Sequence, residues 1–296
     1  MLYRGRFAPS PTGPLHFGSL VAAVGSYLDA RTQGGEWWVR MEDVDTPRCV
    51  PGAADDILRT LESFGFEWDG SVWVQSQRLG VYQAALDDLV RRGMAYPCAC
   101  SRKDILDAGA AVASDGGRVY PGMCRAGMRP LAAGREAAWR LRVPDQPVCF
   151  TDRLLGEHTQ DLAKDVGDFV LLRADGLFAY QLAVVVDDAE QGMTDVVRGA
   201  DLLDSTARQI WLQQCLRVPT PRYAHLPLVK NAAGEKLSKQ TLAPALDKDH
   251  AANQLVQALV FLGQDAPAGL ASNGLTTVWQ WAQDHWNAQR IPRALP

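Results

Sequence analysis

The chain has 296 residues, 47% of them apolar and 22% charged, a balance that suits a folded chain with its own core and excludes a disordered or coiled-coil protein. Its 30 Lys and Arg against 34 acids leave a formal charge of −4, which does not advertise a nucleic-acid binder, although only the contacting face of one has to be positive. No apolar run approaches the ~20 residues of a membrane helix, and the start Met1-Leu2-Tyr3-Arg4-Gly5-Arg6 has neither a signal core nor transit-peptide character, so a cytoplasmic protein is expected.

In chain order, Arg4 to Ala8 reads as a short strand that enters a turn-rich loop, Pro9-Ser10-Pro11-Thr12-Gly13-Pro14. Ser19 is placed to cap a helix to about Gln33, with Val24, Tyr27, Leu28 and Arg31 at helical spacing. Trp37, Val39 and Met41 alternate and predict a strand over 36–42. Ile57, Leu61 and Phe64 mark a helix stopped at Gly65; residues 72–75 read as a strand and 79–92 as a helix. This order predicts an α/β fold, a parallel sheet with crossover helices. The pattern breaks near Tyr96. Glycine, alanine and proline are dense from Ala108 to Gly134, and strand alternation returns at Ala138-Arg140-Arg142. Residues 169–173 and 177–186 are expected as strands around a turn at Ala174-Asp175-Gly176. The organisation that follows is a first half over 1–96, an α+β insertion over 97–175, a second half over 176–245 and a short helical region over 246–296.

Two segments carry chemistry. His16-Phe17-Gly18-Ser19 follows the proline-rich loop between a strand and a helix, where backbone N–H groups and the positive helix end favour phosphate. Gly18 permits close approach of a nucleotide, and a histidine there can donate to phosphate oxygens. Lys236-Leu237-Ser238-Lys239-Gln240, behind Asn231-Ala232-Ala233-Gly234, places two lysines on a glycine-containing loop that can close over a polyphosphate. Of six cysteines, Cys49, Cys149 and Cys215 stand alone and are expected as small buried hydrophobes. Cys98, Cys100 and Cys124 cluster in sequence: three thiolates toward a tetrahedral zinc, with no histidine nearby as a fourth ligand. The stretch from Cys98 to Arg142 has eight Lys and Arg against four acids, a candidate RNA contact that includes Arg118 and Arg125.

Together the two segments resemble the HIGH and KMSKS signatures of class I aminoacyl-tRNA synthetases. The wording Arg6-Phe7-Ala8-Pro9-Ser10-Pro11-Thr12-Gly13, then Arg40-Met41-Glu42-Asp43-Val44-Asp45-Thr46-Pro47-Arg48, then His225-Leu226-Pro227-Leu228, is similar to the glutamyl-tRNA synthetase catalytic domain, in order and over roughly residues 4–245. Ser19 and Gln240 depart from the signatures, and Ser19 carries less weight as a phosphate ligand. Only 57 residues follow Lys239, too few for the anticodon-binding domains of that family, so no such domain is expected. In this the chain resembles the truncated, queuosine-directed paralogues, to which Leu182–Asp188 and Val197–Leu202 are also similar.

The resemblance implies a Rossmann-like class I catalytic domain that activates L-glutamate with ATP, without needing tRNA, to glutamyl-adenylate. The glutamate is then transferred to queuosine at the wobble position of tRNA(Asp). The implied partners are ATP, L-glutamate and tRNA(Asp) carrying queuosine, with no membrane; a monomer is expected. Mg²⁺ accompanies ATP. His16, Lys236 and Lys239 are the implied catalytic groups and, with Gly18, the ATP-binding ones. The implied glutamate site is Arg6, Phe7, Ala8, Pro9, Ser10, Glu42, Tyr180 and Arg198. Arg198 and Arg6 read the side-chain carboxylate, for which a planar guanidinium fork is suited. Tyr180 donates a hydrogen bond, and Glu42 with Ser10 holds the ammonium. The competing role for Arg198 is a structural ion pair, and for Glu42 an internal pair with Arg48. Asp43, Asp45 and Arg48 read as a scaffold. The resemblance also supplies the fourth ligand of one structural Zn²⁺, the phenol of Tyr120, beside Cys98, Cys100 and Cys124. Two other readings stay open: a compact glutamyl-tRNA synthetase charging the tRNA 3′ end, and a catalytically inactive zinc-containing RNA-binding paralogue.

Overall fold

The computed structural model describes residues 2–113, 116–131, 133–230 and 244–293. The chain begins with β1 (Arg4–Phe7), α1 (Phe17–Arg31), β2 (Glu36–Met41), α2 (Ala53–Ser63), β3 (Trp73–Val74) and α3 (Leu79–Arg91). It continues through β4 (Ala95–Cys98), α4 (Arg102–Asp107), β5 (Ala138–Leu141), β6 (Val148–Asp152), β7 (Gly156–Gln160), α5 (Leu162–Asp165) and β8 (Phe169–Leu172). Then come α6 (Tyr180–Glu190), β9 (Asp195–Gly199), α7 (Leu203–Leu216), β10 (Arg222–Leu226), α8 (Ala251–Phe261) and α9 (Leu275–His285).

β1, β2 and β3 are parallel neighbours, as crossover helices require. β9 and β10 are also parallel, and β6 runs parallel to the outer side of β10. The Thr194 N–H donates to the Arg4 carbonyl at 3.0 Å and sets β9 beside β1. β4, β5 and β8 form an antiparallel sheet of their own. Within 97–175, then, β5 and β8 belong to that sheet, whereas the hairpin of β6 and β7 leans on β10.

The α1 helix is buried on almost every side, from Leu20 to Ala30, because strands cover one face and α8 the other. Burying Leu20 and Leu28 contributes roughly 1.5–3 kcal/mol each. Gly25 lets the helix run against β10: a Cβ there would sit 2.6 Å from Leu226 Cδ1. Trp37 stacks on Phe66, and Trp279 of α9 meets Tyr27 and Phe66 edge-on. The Trp279 Nε1–H donates to the Phe64 carbonyl at 2.8 Å, so α8 and α9 share one core with β1, α1 and β2.

Two local expectations give way. Residues 177–186 do not form a strand: the turn at Asp175 is present, but Phe178 makes a single bridge to Leu172 before α6 begins at Tyr180. The valine run that suggested a strand is a helix buried on nearly all sides, where periodicity is lost. Cys149 is exposed, not buried, because alternate residues of β6 face outward. No helix among the described residues is long and apolar enough to cross a membrane.

Candidate active site

The carboxyl ends of β1, β2 and β9 open onto a cavity of about 560 Å³, the usual ligand position in an open parallel sheet. It is lined by Arg6, Phe7, Ala8, Ser10, Glu42, Tyr180 and Arg198, all expected in one site from the sequence. A second cavity of about 500 Å³ is lined by Pro9, His16, Gly18 and Ser19, and shares Phe7, Ser10, Thr12, Ala22 and Gly199 with the first. Pro9 lines only the second cavity, beside Phe7 and Ser10, which line both.

His16, not Ser19, caps α1. Its backbone is extended, and its Nδ1 accepts from the Ser19 N–H at 3.3 Å. With Nδ1 an acceptor, the neutral ring carries its proton on Nε2, the donor that a phosphate oxygen would use. Lys236 and Lys239 lie outside the described residues. Of their flanks, residues 226–229 line the second cavity, and the segment after them pairs with residues that line it: the Leu246 N–H donates to the Leu15 carbonyl at 2.9 Å, beside an Ala245–His16 bridge.

Charge enters the first cavity through a buried network. Arg6 Nε and Nη2 donate to the two oxygens of Asp188 at 3.1 and 3.3 Å. Arg40, fully buried, donates to Asp188 at 2.7 Å, Glu42 at 3.1 Å and Gln191 at 2.7 Å. Asp187 accepts from Gln75, Arg78 and Tyr82 at 2.8–2.9 Å. Burial opposes charge on Asp188, but Arg6 and Arg40 outweigh it and hold its carboxyl below the usual range. Burial wins at Glu42, whose carboxyl is pushed up despite Arg40 and Arg6; an incoming ammonium would favour its charged form. Glu42 thus pairs with Arg40, and Arg48 with Asp45 at 2.6 Å on the surface. Asp43 holds Ser76 through its N–H and Oγ–H at 2.7 and 2.6 Å, as a scaffold residue does.

Arg198 is buried, and its donors are largely committed. Nε donates to His225 Nε2 at 3.1 Å, Nη1 to Gln209 at 2.8 Å, and Nη2 to Thr206 at 2.9 Å and the Leu202 carbonyl at 3.2 Å. No acid pairs with it among the described residues, so the structural ion pair is not its role. Nor does it present an open fork; one Nη1–H remains for a ligand, while Arg6 keeps its Nη1 side. The sequence reading passed over Asp187, Asp188, Arg40 and His225 as site-building residues. The signal was two acids closing an apolar run.

The three cysteine sulfurs lie within 4.8 Å of one another, with Cys100 and Cys124 3.6 Å apart. A zinc–sulfur bond of ~2.3 Å places tetrahedral sulfurs ~3.8 Å apart. The Tyr120 oxygen is 3.3 Å from Cys98 Sγ and 3.8 Å from Cys100 Sγ, so three thiols and a phenol converge as a four-ligand set. Gly167, at φ +73°, makes the approach possible: a Cβ there would strike the Tyr120 carbonyl oxygen at 2.4 Å. The positive stretch is less exposed than its composition suggests, because Arg140 is buried and donates to the Asp168 carbonyl at 2.7 Å.

The sequence profile of tRNA synthetases class I (E and Q), catalytic domain, matches residues 3–266. A glutamyl-Q tRNA(Asp) synthetase of Dechloromonas aromatica is 67% identical over 98% of this chain and 96% of its own. One from Chromobacterium violaceum is 61% identical over the same shares. The crystal structure of a glutamate-tRNA synthetase from Elizabethkingia anophelis shares the fold, with a TM-score of 0.80 at 24% identity; the match covers 99% of this chain and 67% of that one. By sequence and by fold, the chain belongs to the class I tRNA synthetases (E and Q), in the branch of the glutamyl-Q tRNA(Asp) synthetases.

Proposed function

We propose that the protein activates L-glutamate with ATP, without tRNA, and transfers it to queuosine at the wobble position of tRNA(Asp). The observation that carries the first step is the pair of abutting cavities, one bearing Arg6, Arg198 and Glu42, the other His16 and Gly18. The acceptor is taken from the relatives' name.

In this reading the glutamate side-chain carboxylate meets the remaining N–H groups of Arg198 and Arg6, with Tyr180 as a further donor. Its ammonium meets Glu42 and Ser10, and Phe7 and Ala8 form the wall toward the second cavity. The α-carboxylate attacks the α-phosphorus of ATP; an O–P bond forms and pyrophosphate leaves. No protein nucleophile is needed, so catalysis rests on alignment and on charge placed against the phosphates. His16, Gly18, Lys236 and Lys239 are assigned to those phosphates, and Mg²⁺ to the ATP. A hydroxyl of the queuosine diol then attacks the activated carbonyl, losing its proton, and AMP departs. The division into 1–96, 97–175, 176–245 and 246–296 is kept for this assembly, as is a cytoplasmic monomer. Cys98, Cys100, Tyr120 and Cys124 are assigned to one structural zinc: four protein ligands leave no open position for catalysis. One zinc per chain is expected by elemental analysis, falling below about 0.2 in Cys124→Ser.

Glutamate-dependent ATP–pyrophosphate exchange tests activation. Exchange without tRNA is expected, followed by label from glutamate in the anticodon fragment of queuosine-containing tRNA(Asp). Exchange that requires tRNA, with label at the 3′ end, would replace this reading by the compact glutamyl-tRNA synthetase. No exchange in folded protein would replace it by the inactive RNA-binding paralogue.

A further inference from the structure

We propose that His225 is a positioning residue for glutamate recognition: gripped by Asp152, its imidazole supplies the acceptor that fixes Arg198 in its aim at the first cavity. The inference rests on the proposed role of Arg198 as a carboxylate reader and deepens it.

The geometry is a three-residue line that ends at the cavity wall. Asp152 closes β6, and its Oδ1 accepts from the Leu154 and Leu155 N–H groups at 2.9 Å each. Its Oδ2 lies 2.6 Å from His225 Nδ1, and both side chains are wholly buried. That contact puts the ring proton on Nδ1 and leaves Nε2 as an acceptor. Nε2 takes the Arg198 Nε–H at 3.1 Å, with Thr206 Oγ1 also 3.3 Å away. The ring lies nearly parallel to that of Tyr223, at 10° with centroids 6.3 Å apart. Burial holds the imidazole pKa down at about 4, so the acceptor persists at neutral pH.

Arg198 needs this line for a geometric reason. Gln209, Thr206 and the Leu202 carbonyl hold its terminal nitrogens, and all come from the segment from Leu202 to Gln209, along α7. His225 alone among the described residues accepts from Nε, and it does so from β10. Two elements therefore clamp the guanidinium plane, and the one uncommitted Nη1–H is left pointing where the clamp directs it. Without Nε held, only the α7 side of the clamp remains, the plane can tilt about its anchored terminal nitrogens, and a carboxylate loses its directed donor.

The test separates positioning from stability. His225→Asn keeps a donor for Asp152 and loses the acceptor for Arg198; His225→Gln offers a carbonyl near the position of Nε2. In ATP–pyrophosphate exchange, His225→Asn is expected to raise KM for glutamate about tenfold or more while KM for ATP changes less than about twofold. His225→Gln should return KM to within about threefold of the native value. Partial unfolding lowers the amount of active enzyme, hence kcat, and leaves both KM values in place. An unchanged KM for glutamate in His225→Asn, or parallel rises for both substrates, overturns the inference. Arg198→Lys is the control: if it leaves KM for glutamate unchanged, the carboxylate-reader role itself fails, whatever His225 does. The native protein gives an independent answer. ¹⁵N NMR of its histidines should show a neutral His225 protonated on Nδ1; a proton on Nε2 is incompatible with accepting from Arg198.

Discussion

The first cavity is walled by side chains that carry charge into the interior, whereas the second is walled mostly by apolar and small residues, with the His16 cap of α1 and one acid, Asp201. The two wall types suit two ligand problems. A small amino acid must be told apart from near neighbours by one carboxylate, so its readers have to be stiff. A triphosphate is a large, flexible anion, to which a helix start with its N–H groups is suited. Stiffness in the first wall comes at a cost in desolvation. Arg6, Arg40, Asp187 and Asp188 are buried, and their charges offset one another through the Arg6–Asp188, Arg40–Asp188 and Arg40–Asp187 pairs.

That contrast breaks most sharply at Asp188. Asp188→Ala leaves Arg6 and Arg40 as buried cations short of an acceptor, and should cost about 3–5 kcal/mol in urea unfolding. A loss below about 1 kcal/mol would mean that the network is not what holds the wall. The next effect is a pH dependence at His225, which faces Asp152, Arg198, Thr206 and Tyr223, with His158 further off. The unfolded chain binds a proton on this ring near 6.5 and the folded chain only near 4. Unfolding therefore takes up a proton between these values, and stability declines as pH falls through that window. The decline amounts to at most about 3 kcal/mol, and stability is fully present above about pH 7. In His225→Gln this part of the slope should vanish from unfolding curves taken between pH 7 and 4.

For the lysines that the proposal assigns to the phosphates, the same scale of loss should appear in rate, not in stability. Lys239→Ala is expected to lower kcat for exchange about 10²-fold with the unfolding midpoint unchanged, since in the proposed role this lysine acts as charge shifts to the leaving group. A shifted midpoint with intact kcat would reverse the comparison between the two walls.

What could be read from the sequence follows the same division. Arg6, Glu42, Tyr180 and Arg198 were legible through the family resemblance, their residue types being ones that answer a carboxylate and an ammonium, and all four line one cavity. The cysteines and Tyr120 were legible from spacing and resemblance, and their donor atoms converge. The partners of these residues were not. Asp188 meets Arg6 across 182 positions, and His225 meets Asp152 across 73. Such pairs depend on which strands are neighbours, here β6 beside β10, and no local period encodes that. The strand expected at 177–186 failed for a related reason: burial on all sides of α6 erased the alternation of polar and apolar faces that separates helix from strand. The cap of α1 was misplaced because histidine is an uncommon N-cap beside serine.

The smallest effect is expected at the rim of the first cavity, and it sharpens the contrast because the same charge types are present there. Arg48 pairs with Asp45 at 2.6 Å, yet its side chain is 73% exposed. Water already solvates both groups, so the pair gains little that the separated charges lack. Arg48→Ala should change unfolding stability by less than about 1 kcal/mol. Its KM for glutamate should stay within about threefold of the native value, because a screened rim charge steers a ligand without fixing it. The loss should also shrink as salt rises, which a buried pair such as Arg40 and Asp188 would not do. If Arg48→Ala instead raised KM as much as Arg198→Lys, independently of salt, the rim would belong to the reading machinery and the stiff wall would extend one loop further out, through Asp45 to Arg173.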